Sequence, residues 1–246
     1  MRWGQRSVGY TFASMEASAT GGVEFKLSSD QSLLVYFGRE ITLQANERVR
    51  RLLRLLETEP IAGVRNLHPA YCSLLIKFDA LKLQHGELET ILKGYLNRLE
   101  AVHLPEPRLV EIPVCYGGEF GPDLAEVSAM HGLTPGQAIE LHSSTNYLVY
   151  FLGFAPGFAY LGELPEQLVA PRLATPRRIV PVGSVGIAGN QTGVYPIATP
   201  GGWRILGRTP TAMFRAELSG LSLLAIGDRV RFVPISSEQF RALENK

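Results

Sequence analysis

Apolar and polar positions in the first part of the chain repeat one pattern twice: two short β-rich runs, then an amphipathic helix. Residues 23–27 and 32–37 read as strands separated by Ser28-Ser29-Asp30, a turn composition. Over residues 43–58, Val49, Leu52, Leu53, Leu55 and Leu56 recur at helical spacing, with Arg48, Arg50, Arg51, Arg54 and Glu57 on the remaining face. Pro60 and Gly63 stop that helix. Strands over 64–67 and 73–78 follow, then a helix over 87–99 carrying Leu88, Ile91, Leu92, Tyr95, Leu96 and Leu99. Two strand–strand–helix units predict a small α+β sandwich with its helices on one face of a sheet.

Pro105 and Pro107 mark a hinge to a second unit. A strand over 108–115 opens it. Gly121-Pro122-Asp123 starts a helix, with proline suited to a first turn and the aspartate complementing the dipole, and His131-Gly132 ends it. Thr134-Pro135-Gly136-Gln137 has the capping-box pattern and opens another helix ending near His142. The rest reads as β, with strands at 147–152, 179–182, 194–198, 204–206 and 228–234 punctuated by Gly and Pro, and a closing helix over 237–244. Many short strands with few helices predict a closed β-barrel-like domain. The expected organisation is a tail or over-long start over 1–22, with Met15 as an alternative initiator, an α+β N-terminal domain over 23–104, and a mainly-β barrel domain over 105–246.

Composition narrows the class. With 246 residues and 46% hydrophobic content, the chain can build a substantial core. Its 24 Lys plus Arg against 23 Asp plus Glu leave a net charge of +1, which argues against a nucleic-acid or anionic-membrane binder and makes any anion site local. Cys72 and Cys115 are too few for a disulfide framework or a thiolate cage, so a reducing cytoplasm is expected and both thiols read as inert. The longest uncharged stretch, 147–162, is interrupted by Gly153, Pro156 and Gly157 and falls short of a membrane span.

Nucleotide-binding glycine loops, H-E-x-x-H, paired C-x-x-C and G-x-S-x-G are missing, so the familiar catalytic engines and a structural zinc are excluded. What stands out is the density of Gly, Pro and Arg between residues 153 and 210. Gly183, Gly186, Gly189 and Gly193, then Gly201 and Gly202, would let backbone amides approach an anion closely. Arg172, Arg177, Arg178, Arg204 and Arg208 suit carboxylate or phosphate recognition. The alternative is that these glycines only make tight barrel turns and the arginines are solvated. Asp123 and His142 are the acid–base candidates, although a helix-terminal carboxylate and a helix-terminal cation would look the same. Gln191, Thr192 and Tyr195 could hydrogen-bond an amide or urea-like group from one side of a strand. Phe151, Phe154, Phe158, Tyr160 and Trp203 read as core rather than ligand wall.

Several strings carry a resemblance. They are Gly121-Pro122-Asp123-Leu124, the run from Leu152-Gly153-Phe154 to Ala159-Tyr160-Leu161, Gly183-Ser184-Val185-Gly186-Ile187-Ala188-Gly189, Gln191-Thr192-Gly193-Val194-Tyr195-Pro196, and Pro200-Gly201-Gly202-Trp203 through Gly207-Arg208-Thr209-Pro210. Together with Ala70-Tyr71-Cys72-Ser73-Leu74-Leu75 they resemble the family of the 5-oxoprolinase B subunit, also described as allophanate hydrolase subunit 1 or as the histidine-kinase inhibitor KipI. That resemblance implies an N-terminal α+β domain followed by a cyclophilin-like β-barrel. It implies a non-autonomous component that, with a homologous C subunit and a separate A subunit, opens 5-oxoproline to L-glutamate using ATP and Mg²⁺, bound at a subunit interface. On this reading Asp123 or His142 moves a proton, and Arg172, Arg177 and Arg208 clamp substrate carboxylate or phosphate. Gly186, Gly189 and Gly202 lie in the glycine-rich backbone, and Gln191, Thr192 and Tyr195 orient the lactam. The alternatives within the family are a sensor-kinase inhibitor and a carboxyltransferase component of the urea carboxylase type.

Overall fold

The computed structural model describes residues 22–215 and 222–244, so the tail expected over 1–22 lies, but for its last residue, outside the described residues. Strands β1 (Glu24–Ser29) and β2 (Ser32–Tyr36) form the first hairpin and lead into α1 (Leu43–Thr58). β3 (Val64–Pro69), β4 (Ser73–Phe78) and α2 (His85–Leu96) repeat the unit, and the four strands join in the order β1-β2-β4-β3. Thr42 caps α1, its hydroxyl accepting from the Ala45 amide. The apolar stripe of that helix, Val49, Leu52, Leu53 and Leu56, packs with Leu33, Val35, Leu74, Ile76 and Phe78 of the sheet. The second helix stops at Leu96, three residues earlier than its apolar spacing predicts, and Leu99 is buried instead from a short 3-10 turn.

Beyond the Pro105–Pro107 segment come β5 (Leu109–Tyr116), α3 (Leu124–Met130), α4 (Pro135–Ser144), β6 (Tyr147–Leu152), β7 (Ala159–Gly162), β8 (Arg177–Val180), β9 (Ser184–Ala188), β10 (Gln191–Val194), β11 (Thr199–Gly201), β12 (Arg204–Arg208), β13 (Arg229–Pro234) and α5 (Ser237–Glu244). Seven of the strands close a barrel in the order β10-β7-β6-β13-β5-β12-β9, with β5 and β13 parallel. Closure leaves the barrel without an open sheet edge. Ile112, Val114, Val149, Leu161, Val185, Ile187, Leu206, Val230 and Phe232 belong to its core. The capping box of α4 forms as its sequence predicts: the Thr134 hydroxyl accepts from the Gln137 amide, and the Gln137 side chain accepts from the Thr134 amide.

One expected feature takes a different form. The glycine-rich stretch 183–193 is not a ligand-facing loop but the β9–β10 hairpin of the barrel wall, in which Gly186 lies opposite Gly193. A side chain at Gly193 would sit 3.2 Å from the rings of both Phe158 and Trp203, so the missing Cβ lets two aromatics lie over the strand. The chain then leaves the barrel after Val194, which is why residues 194–198 are not a strand, and β11 pairs instead with β8 as a separate two-stranded ribbon.

Candidate functional site

An unbroken belt of aromatic rings links the first sheet to the barrel. Phe151 on β6 and Tyr160 on β7 stack at 4.4 Å, and Tyr71, from the turn between β3 and β4, meets Phe151 edge-on at 4.8 Å and Tyr160 at 5.9 Å. The belt continues through Phe158, 5.0 Å from Tyr160, to Tyr195 and Trp203, each 5.6 Å from Phe158. Asn46, wholly buried on α1, holds the junction: its amide nitrogen donates to the carbonyls of Tyr71 at 3.1 Å and Tyr150 at 3.2 Å.

Arg172 stands exposed beside this belt, with no hydrogen bond or ion pair to any other described residue. Burial pushes the phenols of Tyr71, Tyr160 and Tyr195 up, and the Arg172 charge pulls all three part of the way back. The Tyr71 hydroxyl is buried; the Gln191 side chain lies near it without completing a well-formed hydrogen bond. On the far side of Tyr71, the Tyr150 hydroxyl donates to Glu163 at 3.3 Å. Burial, and then the neighbouring carboxylate, push the Tyr150 phenol up to about 12. The Arg172 cation and the Gln191 side chain thus lie near the aromatic rings, beside the unpartnered Tyr71 hydroxyl.

The five arginines do not converge there as a group. Arg177 donates to Asp123 Oδ1 at 2.6 Å and to the Trp203 carbonyl at 3.4 Å, although its charge is still felt by Tyr195. Arg204 is buried against Glu126 at 2.9 Å. Arg208 donates to the Val182 carbonyl at 2.8 Å and pairs with Glu244 of α5 at 3.5 Å. These are internal ties between elements. Asp123 is likewise a clamp: its second carboxylate oxygen accepts from the Ile205 amide at 2.6 Å, so both oxygens are engaged and the side chain is buried.

His142 is completely enclosed. Its ring stacks on Phe232 at 4.6 Å, Nδ1 lies 2.7 Å from the Tyr116 hydroxyl and Nε2 lies 2.9 Å from Thr192 Oγ1. Thr192 gives its one hydroxyl proton to the Gly186 carbonyl at 3.1 Å, so it must accept from His142, which fixes the proton on Nε2 and leaves Nδ1 to accept from Tyr116. Burial lowers the imidazole to about 3, so the ring is neutral at ordinary pH. With both nitrogens satisfied and the ring sealed from solvent, the geometry offers His142 no substrate proton.

Of the remaining sequence candidates, Gln191 and Tyr195 join the belt; Tyr195 packs on Gly201, where a Cβ would lie 2.5 Å from its hydroxyl. The Gly202 carbonyl accepts from the Leu173 amide at 2.8 Å and so holds the loop that carries Arg172. Gly186 lies inside the wall, and Thr192 belongs to the histidine network. The Gly189 amide is spent on the Ala170 carbonyl at 2.8 Å, as the Gly183 amide is on Tyr195, so the expected anion nest does not assemble. Burial raises both cysteine thiols. Sequence reasoning missed Tyr71, Tyr150, Asn46 and Glu163 and read Tyr160 as core. The available signal was the clustering of aromatics on both sides of Gly153. Phe154, in the same loop, holds φ at 68° with its ring 63% exposed, a strained presentation for a bulky residue.

Residues 23–224 match the family described as carboxyltransferase domain, subdomain C and D. The chain is 42% identical to the B subunit of 5-oxoprolinase from Bacillus subtilis (strain 168), over 88% of this chain and 95% of that protein. It is 48% identical to the B subunit of 5-oxoprolinase from Escherichia coli O157:H7, over 79% of this chain and 88% of that protein. The solved structure of TTHA0988 superposes with a TM-score of 0.74 at 38% identity over 84% of this chain, which spans only 40% of that longer chain. With identity of this order over nearly whole lengths, the chain belongs to the family of 5-oxoprolinase B subunits, within the carboxyltransferase subdomain C and D proteins.

Proposed function

We propose that this chain works as the B subunit of an ATP-dependent 5-oxoprolinase and that the surface beside its aromatic belt receives the cyclic amide. The observation that carries the reading is the near-full-length likeness to proteins named as 5-oxoprolinase B subunits. The side chains beside the belt support it chemically. The carboxylate of 5-oxoproline meets Arg172, its ring lies against Phe151 and Tyr160, and its lactam faces the Gln191 amide.

A five-membered lactam is a poor electrophile because amide resonance resists attack, and phosphorylation of its oxygen would convert it to an imidate that water can open. Such a transfer needs positioning and charge neutralisation more than a special nucleophile. This chain's part is to bind and orient the ring and to keep bulk water from it. Among the described residues, no group of three or more His, Cys, Asp or Glu could hold a metal ion. ATP and Mg²⁺ enter the reading as ligands of the assembled complex, with no position on this chain assigned to them. The partners are the homologous C subunit and the A subunit, and the division into domains at residues 104 and 105 belongs to the same reading. No helix among the described residues is long and apolar enough to cross a membrane.

Reconstitution tests the reading: the chain is mixed with its A and C partners, and glutamate release and 5-oxoproline-dependent ATP hydrolysis are followed. Turnover that requires this chain is expected; full turnover by the other two components without it would overturn the proposal. The family description favours a second reading, a carboxyltransferase component, which biotin-dependent carboxyl transfer in the same mixtures would reveal.

A further inference from the structure

Away from the aromatic belt, a crevice of about 270 Å³ opens where α1, the Pro105–Pro107 linker and the turn before β13 meet. Leu53, Leu104, Pro105, Pro107 and Ile226 give it apolar walls. Arg50 and Arg54, one helical turn apart on α1, both line it.

Arg50 differs from the ion-paired arginines among the described residues. It is half-buried, its Nε is fully buried with no hydrogen-bond partner, and no described carboxylate pairs with it. Its guanidinium lies against Gly227, where a Cβ would come within 2.7 Å of Nη1, so the absent side chain makes its seat. Glu47, the acid nearest in charge, is taken by Arg51 at 2.7 Å. Arg108 does not need a ligand, being held by Asp228. Burial weakens the hold of Arg50 on its proton; the Glu47 carboxylate opposes this, and the charges of Arg229 and Arg51 add to it.

We propose that this crevice is a binding site for a small monocarboxylate with an apolar body, the carboxylate seated on Arg50 and Arg54 and the body against Leu53, Pro105 and Ile226. A planar guanidinium matches a carboxylate through paired hydrogen bonds. Glu57, Glu106 and the Arg108-paired Asp228 also line the crevice and offset its positive charge, so a carboxylate would be held by local pairing with Arg50 and Arg54 rather than by a net field. The volume, at the small end for ligand pockets, selects for a compact body. Since the linker forms one wall, occupancy would brace the linker against α1. The site is separate from the proposed lactam site, so its test needs no turnover.

The test is an NMR titration of the isotopically labelled full chain with sodium hexanoate, and with hexanamide as the uncharged analogue. Saturable shifts of the Ile226 and Gly227 amides with hexanoate, absent with hexanamide, are expected, together with affinity at least about tenfold weaker in Arg50→Met. Equal response to both compounds, no saturation, or unchanged affinity in Arg50→Met would overturn the site. If Arg50→Met does not fold, the contrast between hexanoate and hexanamide on the unmodified chain still decides.

Discussion

The Asn46 side chain donates to the Tyr150 carbonyl at 3.2 Å, a bond between helix α1 and barrel strand β6 across 104 positions of sequence. The same amide holds the Tyr71 carbonyl, so one buried side chain sets where the tip of the first sheet meets the barrel. Replacing it with alanine leaves those carbonyls without their donor in a closed environment. Asn46→Ala is expected to lower unfolding free energy by about 2–3 kcal/mol in urea titrations and to weaken the near-ultraviolet dichroism of the tyrosine cluster.

Acid sensitivity follows from His142. Its folded-state pKa, about 3, lies below the 6.5 of a free imidazole, so between those values the unfolded chain binds a proton that the folded one refuses. Stability is full above pH 6.5 and falls as pH drops below it, by up to about 1.4 kcal/mol per pH unit until pH nears 3. A His142→Gln variant, less stable at neutral pH, should show a flatter acid limb in melting temperature. A limb as steep as that of the parent would show that the imidazole is not its source.

Asp123 should behave as a structural tie. Asp123→Asn removes the charge facing Arg177 and weakens the acceptor for the Ile205 amide. A loss of about 2–4 kcal/mol is expected, with a coupling of about 1–3 kcal/mol to Arg177→Met in a double-mutant cycle. Additive effects in denaturant titrations would dissolve the pair.

Backbone proximity makes a sharper contrast. A Cβ at Gly121 would lie 1.9 Å from the Leu206 carbonyl oxygen, whereas one at Gly189 meets open space and only the strain of φ 58°. Gly121→Ala should fail to give soluble folded protein, while Gly189→Ala should fold with a loss of about 1–2 kcal/mol.

Much of the architecture was readable from local pattern. Helix α1, strands β4 and β6 and helix α5 follow from apolar spacing and turn residues, and the capping box of α4 from four consecutive side chains. The β9–β10 hairpin was not, because glycines spaced three or four apart fit an anion loop and a strand crossed by aromatic rings equally well; only the pairing of Gly186 with Gly193 decides. The site was half legible. Residue type pointed to Arg172 and Gln191, which lie beside the aromatic belt, whereas Arg177 and Arg208 find partners in Asp123 and Glu244, separated from them by 54 and 36 positions. Tyr71 was hidden for the same reason: it reaches the barrel aromatics from the other end of the chain, and spacing rules see only neighbours.

The central claim is that Arg172 beside the aromatic belt receives the substrate carboxylate. Steady-state kinetics of 5-oxoproline cleavage by the reconstituted complex carrying Arg172→Met test it most directly. A fall in kcat/KM of about a hundredfold or more, with most of the change in KM, is predicted, since a charge-assisted contact of about 3 kcal/mol to the bound substrate is lost. Kinetic constants unchanged from those of the parent complex would contradict it.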